Sequence, residues 1–308
     1  MPSPHGTAVL IVDPTEGRGQ VGRNLAQIQR ILDALELEHR TLLIHGNADA
    51  SRAARGALEQ GESFLVAVGT DATINGVVNG MVVDDHPVDP DAVLGVVPAG
   101  SGADFPTTFG LPGDVLGATG HLDGDTLFRI DVGKVSCVGR DRVPVTRYFV
   151  NVAELGLGAE AVSRASRMPK ALGRRWGAFL GFWLAVAAAR SSGVSVRVGD
   201  RTFDGEAHDV VVANGQYHRG GMRISPRSWP GDGLLDVLVM TGPRSDSFTL
   251  LPKIYRGEHL PNADIEELKG RTVEVDADRE WSVQVDGVPV GVTPARFEVI
   301  RGAVSVKI

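Results

Sequence analysis

The chain has 308 residues, with 31 Lys and Arg against 38 Asp and Glu, a formal net charge of −7. At 43% hydrophobic and 22% charged residues it has an ordinary globular balance, which excludes a disordered or fibrous chain. The net acidity argues against a nucleic-acid partner, which needs a basic surface, and the lone Cys137 excludes a disulfide framework or a multi-cysteine metal site.

The opening MPSPHGTAVLIVDP lacks the basic start and long apolar run of a signal peptide. The longest apolar stretch, Gly177–Ala189, is shorter than the roughly 20 residues that span a bilayer. A soluble, cytoplasmic protein is expected, with contact at the inner membrane surface left open. The length suggests two domains.

Ala8–Val12 reads as a buried strand ending in the turn Asp13-Pro14-Thr15-Glu16-Gly17. Leu25, Ile28, Ile31, Leu32 and Leu35 have helical spacing and predict a helix over Val21–Leu37. Strands at Thr41–Ile44, Phe64–Val68 and Val93–Val97 alternate with helices at Ala50–Leu58 and about Thr73–Met81. This alternation predicts a parallel α/β domain whose ligand lies beyond the carboxyl ends of the strands. After about residue 125 short β-type runs dominate: Leu127–Val132, Arg147–Val152, Val194–Val198, Val210–Ala213, Leu235–Met240, Thr272–Val275, Trp281–Val285 and Val304–Ile308. Two helical stretches, about 158–168 and 173–190, interrupt them. The expected fold is an α/β amino-terminal domain, residues 1–122, and a mostly antiparallel β domain, residues 123–308, whose tail packs back on the first.

Four stretches carry candidate chemistry. Gly17-Arg18-Gly19-Gln20-Val21-Gly22 matches GxGxxG, but no acid at the end of the second strand is placed for a ribose, so a glycine turn before a helix is the better reading. Gly69-Thr70-Asp71-Ala72-Thr73 joins a strand to a helix, where Thr73 suits a cap and the free amides suit a phosphate. Gly100-Ser101-Gly102-Ala103-Asp104 is a second small-residue loop after a neighbouring strand. Two such loops together favour phosphate binding over two unrelated surface turns. Val285-Asp286-Gly287-Val288 reads as a hairpin turn or a catalytic acid.

In order and spacing these motifs resemble the diacylglycerol kinase catalytic-domain family, bacterial lipid kinases related to sphingosine and NAD kinases. The family's Asn-Pro-x-x-Gly opening resembles Asp13 to Gly17. Its Gly-Gly-Asp-Gly-Thr loop resembles Gly69 to Thr73, followed by Val77-Val78-Asn79-Gly80. Pro98 to Phe105 resembles its Pro-x-Gly-Thr-Gly-Asn-Asp-Phe element. In the second half, Asn151-Val152-Ala153, Gly220-Gly221-Met222, Asp232-Gly233-Leu234-Leu235-Asp236 and Asp286-Gly287 match in turn. The chain departs from the pattern at Asp13 for Asn, Thr70 and Ala72 for glycine, Gly76 for Glu, Ala103 for Asn, and Val288 for Glu. A Cβ at 70 and 72 crowds backbone that phosphates approach.

The resemblance implies an ATP- and magnesium-dependent kinase acting on the hydroxyl of a diacylglycerol-like lipid. ATP would lie against Asp13, Asn47, Gly69, Thr70, Asp71, Ala72, Thr73, Gly100, Ser101 and Gly102. Asp71 and Asp104 would hold magnesium, and Asp286 would accept the proton. A structural magnesium would sit on Asp232 and the carbonyls of Trp229 and Leu234. The departures keep two alternatives open: a weak or inactive nucleotide- or lipid-binding protein, and an NAD-kinase-like enzyme. Trp176, Phe179, Leu180 and Trp183 share one helical face, flanked by Arg167, Lys170, Arg174 and Arg175. That helix is either a core element or a lipid-facing one. A homodimer is also left open.

Overall fold

Every residue of β1 (Ala8–Val12) is buried, as in a strand covered on both faces. The computed structural model, which describes residues 5–100, 102–139, 141–156, 159, 191–243 and 247–308, continues with α1 (Glu16–Ala34), β2 (His39–Leu43), α2 (Asn47–Glu59), β3 (Phe64–Gly69) and α3 (Asp71–Met81). A small hairpin, β4 (Val82–Val83) and β5 (His86–Pro87), precedes β6 (Val93–Pro98). The order β2-β1-β3-β6 is parallel throughout. Leu10, Phe64 and Val97 pack toward Val21 and Ile28 of α1. Ile11, Leu65 and Val96 pack toward Ala50 and Ala54 of α2 and Ile74 and Val77 of α3. A short α4 (Val115–Gly120), capped by Asp114 Oδ1 on the Gly117 amide, closes the first face.

The second half is antiparallel. It comprises β7 (Leu127–Val138), β8 (Pro144–Phe149), β9 (Val152–Gly156), β10 (Ser192–Val198), β11 (Arg201–Ala207), β12 (Asp209–Ala213), β13 (Leu235–Met240), α5 (Ser247–Arg256), β14 (Ile265–Gly270), β15 (Thr272–Ala277), β16 (Ser282–Val285) and β17 (Val288–Lys307). The order β14-β13-β12-β9-β16-β17 runs straight on into β6-β3-β1-β2. The 20-residue β17 makes the junction. It runs antiparallel to β7, and Ser305 and Val306 lie parallel to Val93 and Leu94 of β6. Ala303, Val304 and Val306 therefore share one core with Leu65, Leu94, Ile130 and Val150. A second core, around Phe149, Val210, Val237, Trp281 and Phe297, lies wholly in the antiparallel half.

The expected strands and helices of the first half are present within a few residues. The GxGxxG stretch is a left-handed kink: Gly17, Arg18 and Gly19 have φ of 56°, 63° and 76°, a region natural for glycine and strained for arginine. The expected strand Arg147–Val152 is two strands with a break at Val150-Asn151. The expected strand Val304–Ile308 is the end of β17. Strand β11 escapes the pattern because its side chains are mostly exposed; β14 does not alternate, and α5 carries Pro252, which reads as a helix breaker. The helical stretches at 158–168 and 173–190, with Arg167, Lys170, Arg174 and Arg175, lie outside the described residues. Among the described residues, no helix is long and apolar enough to cross a membrane.

Gly76 shows why one departure from the family pattern is tolerated by the fold. A Cβ there would lie 2.5 Å from Ala50 Cβ and 2.8 Å from Asn47 O. Helices α2 and α3 meet through this gap, so no longer side chain fits in this packing. Gly76→Ala should therefore cost about 1–3 kcal/mol through overpacking, read as a lower urea midpoint with an unchanged m-value.

Candidate functional site

Three loops leave the carboxyl ends of β1, β3 and β6 and meet. A Cβ on Gly100 would lie 3.5 Å from Gly17 Cα and 3.7 Å from Thr70 Cγ2. Asp13 ends β1 with 4% exposure. Its Oδ1 accepts the Thr15 amide and hydroxyl, and its Oδ2 accepts the Gly46 amide at 2.8 Å. Burial raises its pKa, but the Thr15 and Gly46 donors outweigh this and hold it below the usual carboxylate value. Asn47 does not face an open cleft: its Nδ2 donates to Ala72 O and Asn75 Oδ1, tying α2 to α3.

Asp71 opens α3 and is 6% exposed. Its amide donates to Gly102 O at 3.0 Å, so loops 69–73 and 99–104 are one unit. Its Oδ1 accepts the Asp104 and Phe105 amides at 2.9 and 3.1 Å. Its Oδ2 accepts Asn151 Nδ2 at 3.1 Å, from the antiparallel half. Burial, and then the charges of Asp104 and Asp286, push Asp71 well above the usual carboxylate range. Asp104 is held from the same side: Gly220 and Gly221 donate their amides to its two oxygens at 2.7 and 2.8 Å. Those two glycines have φ of 81° and 93°, which allows successive amides to point at one carboxylate.

Asp286 fills the break between β8 and β9. Its Oδ1 accepts the Asn151 and Val152 amides, both at 3.0 Å, and its Oδ2 accepts the Val150 amide and Asn75 Nδ2. Burial pushes its pKa up, against those four donors. Asn79, one turn after Asn75, accepts the Tyr148 amide and donates to Tyr148 O. Helix α3 thus completes the end of β8 with side chains. The sequence-based role of Asp286 as proton acceptor needs a free lone pair aimed at substrate; the geometry gives it none and makes it a positioning residue.

The structure brings Asp13, Gly69, Thr70, Asp71, Thr73, Gly100, Gly102 and Asp104 together at the strand ends. Ala72 contributes its carbonyl to Asn47, and Ser101 lies outside the described residues. Among the described residues no three His, Cys, Asp or Glu side chains converge as a metal site. Asp286 has its four acceptor positions filled by N–H donors, whereas Asp71 takes three and Asp104 two, so only Asp71 and Asp104 keep lone pairs that a magnesium ion could use. The expected structural magnesium fares worse. Asp232 Oδ2 pairs with Lys269 Nζ at 2.8 Å and its Oδ1 accepts the Leu234 amide. The Trp229 carbonyl accepts the Gly231 and Asp232 amides. The charge a cation would neutralise is already neutralised by Lys269, so Trp229, Asp232 and Leu234 do not fit a resident ion.

Sequence reasoning assigned no role to five polar positions. Asn75 and Asn151 look like ordinary polar residues until the two halves are joined. Asp131 is 3% exposed and accepts the Gly302 and Gly233 amides, pinning the turn before β13 to β17. Glu16 reaches loop 69–73 and accepts the Thr70 amide at 2.9 Å. Glu154, 4% exposed, accepts Arg219 at 2.6 Å and Gln284, with His218 Nε2 at 3.3 Å. Its position, directly after the Asn151-Val152-Ala153 motif, was a readable signal.

The comparisons with known proteins agree with this arrangement. Residues 7–135 match the family described as diacylglycerol kinase catalytic domain, and residues 152–308 match the YegS C-terminal NAD kinase beta sandwich-like domain. The chain belongs to the family of the YegS C-terminal NAD kinase beta sandwich-like domain, and its first part matches the diacylglycerol kinase catalytic domain. It is 27% identical to a diacylglycerol kinase of Bacillus subtilis over 94% of this chain and 92% of that protein. It is 26% identical to a probable lipid kinase YegS-like of Serratia proteamaculans over 99% and 95%. A crystal structure of a putative diacylglycerol kinase from Bacillus anthracis superposes with a TM-score of 0.75 at 22% identity, covering 98% of this chain and 96% of that one. That likeness establishes the fold: a parallel α/β part joined to an antiparallel β part.

The Glu154 cluster sets a measurable acid limb. Burial raises the Glu154 pKa, but Arg219 and then His218 outweigh it and hold the carboxyl at about 2, below its ordinary 4.5. A depressed acid stabilises the fold above its unfolded pKa, and this is lost as pH falls from about 4.5 to about 2. Glu154→Gln should flatten that part of the stability curve. It should also lower stability at pH 7 by about 1–3 kcal/mol, because the buried carboxylate's charge-assisted bonds from Arg219 and Gln284 are lost. Urea titrations across pH check both. For the break between β8 and β9, Asp286→Asn should cost about 2–4 kcal/mol, since an amide cannot accept from all four donors.

Proposed function

We propose that this chain is an ATP-dependent lipid kinase that phosphorylates the hydroxyl of a diacylglycerol-like lipid. One observation carries the reading. The phosphate-type loops of residues 1–122 and the Asn151 and Gly220-Gly221 groups of residues 123–308 close on the same two carboxylates, Asp71 and Asp104. A nucleotide bound at the strand ends would lie beside the antiparallel half, which we assign the acceptor lipid. ATP phosphates would lie over loops 69–73 and 100–102. In this reading the enzyme works in the cytoplasm, at the inner face of the membrane.

Phosphoryl transfer asks mainly for positioning and charge stabilisation. In this reading Asp71 fixes the start of α3 against loop 99–104. Asp104 fixes the Gly220-Gly221 turn, and Asp286 fixes the first residues of β9. These acids hold the two walls of the cleft at a set separation, and a misplacement of about 1 Å at such a site costs roughly 10²-fold in rate.

A second reading, a nucleotide- or lipid-binding protein without turnover, is favoured by Thr70 and Ala72 in place of glycines and by the Glu16 carboxylate on the Thr70 amide.

Purified protein given labelled ATP, magnesium and diacylglycerol in mixed micelles should transfer label to the lipid. Asp104→Asn should lower the rate by about 10²-fold. ATP binding with no labelled lipid supports the binding-protein reading. Label on NAD in a parallel incubation, and none on lipid, overturns the proposal for an NAD-kinase-like activity.

A further inference from the structure

Glu16 sits between the end of β1 and the left-handed kink, and its side chain crosses to loop 69–73. Its Oε2 accepts the Thr70 amide at 2.9 Å, and the Thr73 hydroxyl lies on the same side of Gly69 as this carboxylate. The contact is close: a Cβ on Gly69 would lie 2.6 Å from Glu16 Oε2 and 2.9 Å from Thr73 Oγ1. Free amides at the start of a helix attract an anion. Here the chain supplies its own.

Thr70 gives this meaning. It stands where the related loop has glycine, and its own amide is the donor to Glu16, so the added side chain lies beside the carboxylate. The side chain that crowds a phosphate thus flanks a carboxylate. Burial, and the neighbouring Asp13 charge, push the Glu16 pKa up even against this donor. The carboxylate is therefore held in a place that is costly for a charge. The means of leaving lies next to it in sequence. Gly17, Arg18 and Gly19, at φ of 56°, 63° and 76°, separate Glu16 from the regular part of α1. A rotation there frees Glu16 without unwinding the helix.

We propose that Glu16 is the resident occupant of the phosphate loop and that a nucleoside triphosphate enters only by displacing it, so that Glu16 and Thr70 together set the chain's nucleotide affinity. This rests on the reading that nucleotide phosphates lie over loop 69–73. A phosphate oxygen and the Glu16 carboxylate compete for one amide, and like charges at that spacing do not coexist without a cost.

The test is calorimetric binding of ATP, and of inorganic tripolyphosphate as a phosphate-only probe. The proteins are wild type, Glu16→Gln, Glu16→Ala, Thr70→Gly and the double variant Glu16→Ala/Thr70→Gly. Glu16→Ala should bind both probes about tenfold or more tighter, the effect of removing one competing charge-assisted hydrogen bond. Glu16→Gln, which keeps the size and loses the charge, should also tighten binding. Thr70→Gly should help more in wild type than beside Glu16→Ala, because the two act through one contact. If wild type binds ATP and both Glu16 variants bind it equally or more weakly, the proposal is overturned while the nucleotide reading stands. If no protein of the set binds either probe, loop 69–73 is not a phosphate site, and the nucleotide reading falls together with the proposal.

Discussion

Buried aspartates at the seam of the molecule hold this structure together: each accepts main-chain N–H groups, and each is reached from the other half, Asp104 by the Gly220 and Gly221 amides, Asp71 by the Asn151 side chain and Asp286 by the Asn75 side chain. Asp286 replaces a stretch of sheet ladder at the break between β8 and β9, where Val150, Asn151 and Val152 have their amides on one carboxylate. Asp104 does the same for Gly220 and Gly221, and Asp71 for Asp104 and Phe105. A buried charge without partners is very costly, and so is a buried amide without an acceptor. Each satisfies the other here, and neither arrangement survives alone. The seam is therefore specified by polar groups, while the apolar strands β6, β7 and β17 supply the bulk of its burial.

This constraint shapes the chemistry available at the cleft. A carboxylate with four N–H donors, as Asp286 has, is a poor proton acceptor and a poor direct metal ligand, but it fixes backbone well. The site is thus built as a frame, with reactive groups to be carried by the ligands. Asp71 is the strained member, because burial and two neighbouring acids oppose its charge. Perturbed acids of this kind gather at functional sites, and here the strain lies at the loop with the features of a phosphate site.

The parallel half was legible in sequence because its strands are short, wholly buried apolar runs, such as Ala8–Val12 and Phe64–Gly69, separated by helices of clear period. The convergence of loops 13–17, 69–73 and 99–104 followed from strand order alone. The antiparallel half was legible as a class and less so in detail. Strand β11 has few buried side chains, and β17 runs through Pro289, Gly291, Pro294 and Gly302, which read as breaks. The roles of the acids were least legible. Asp71, Asp104 and Asp286 were found by motif, but the partners of their oxygens are residues 33 to 211 positions away, and only the folded seam shows how they are engaged. Glu16 looked like a turn residue because its partner, the Thr70 amide, is 54 positions away.

Amide hydrogen exchange tests the central claim most directly. If the aspartates lock the seam, the amides of Phe105, Val150, Asn151, Val152, Gly220 and Gly221 exchange only through global unfolding, as slowly as the centre of β3. Exchange of the Asn151 and Gly220 amides at rates like those of the exposed loop at Gly199, with β3 still protected, would contradict the account.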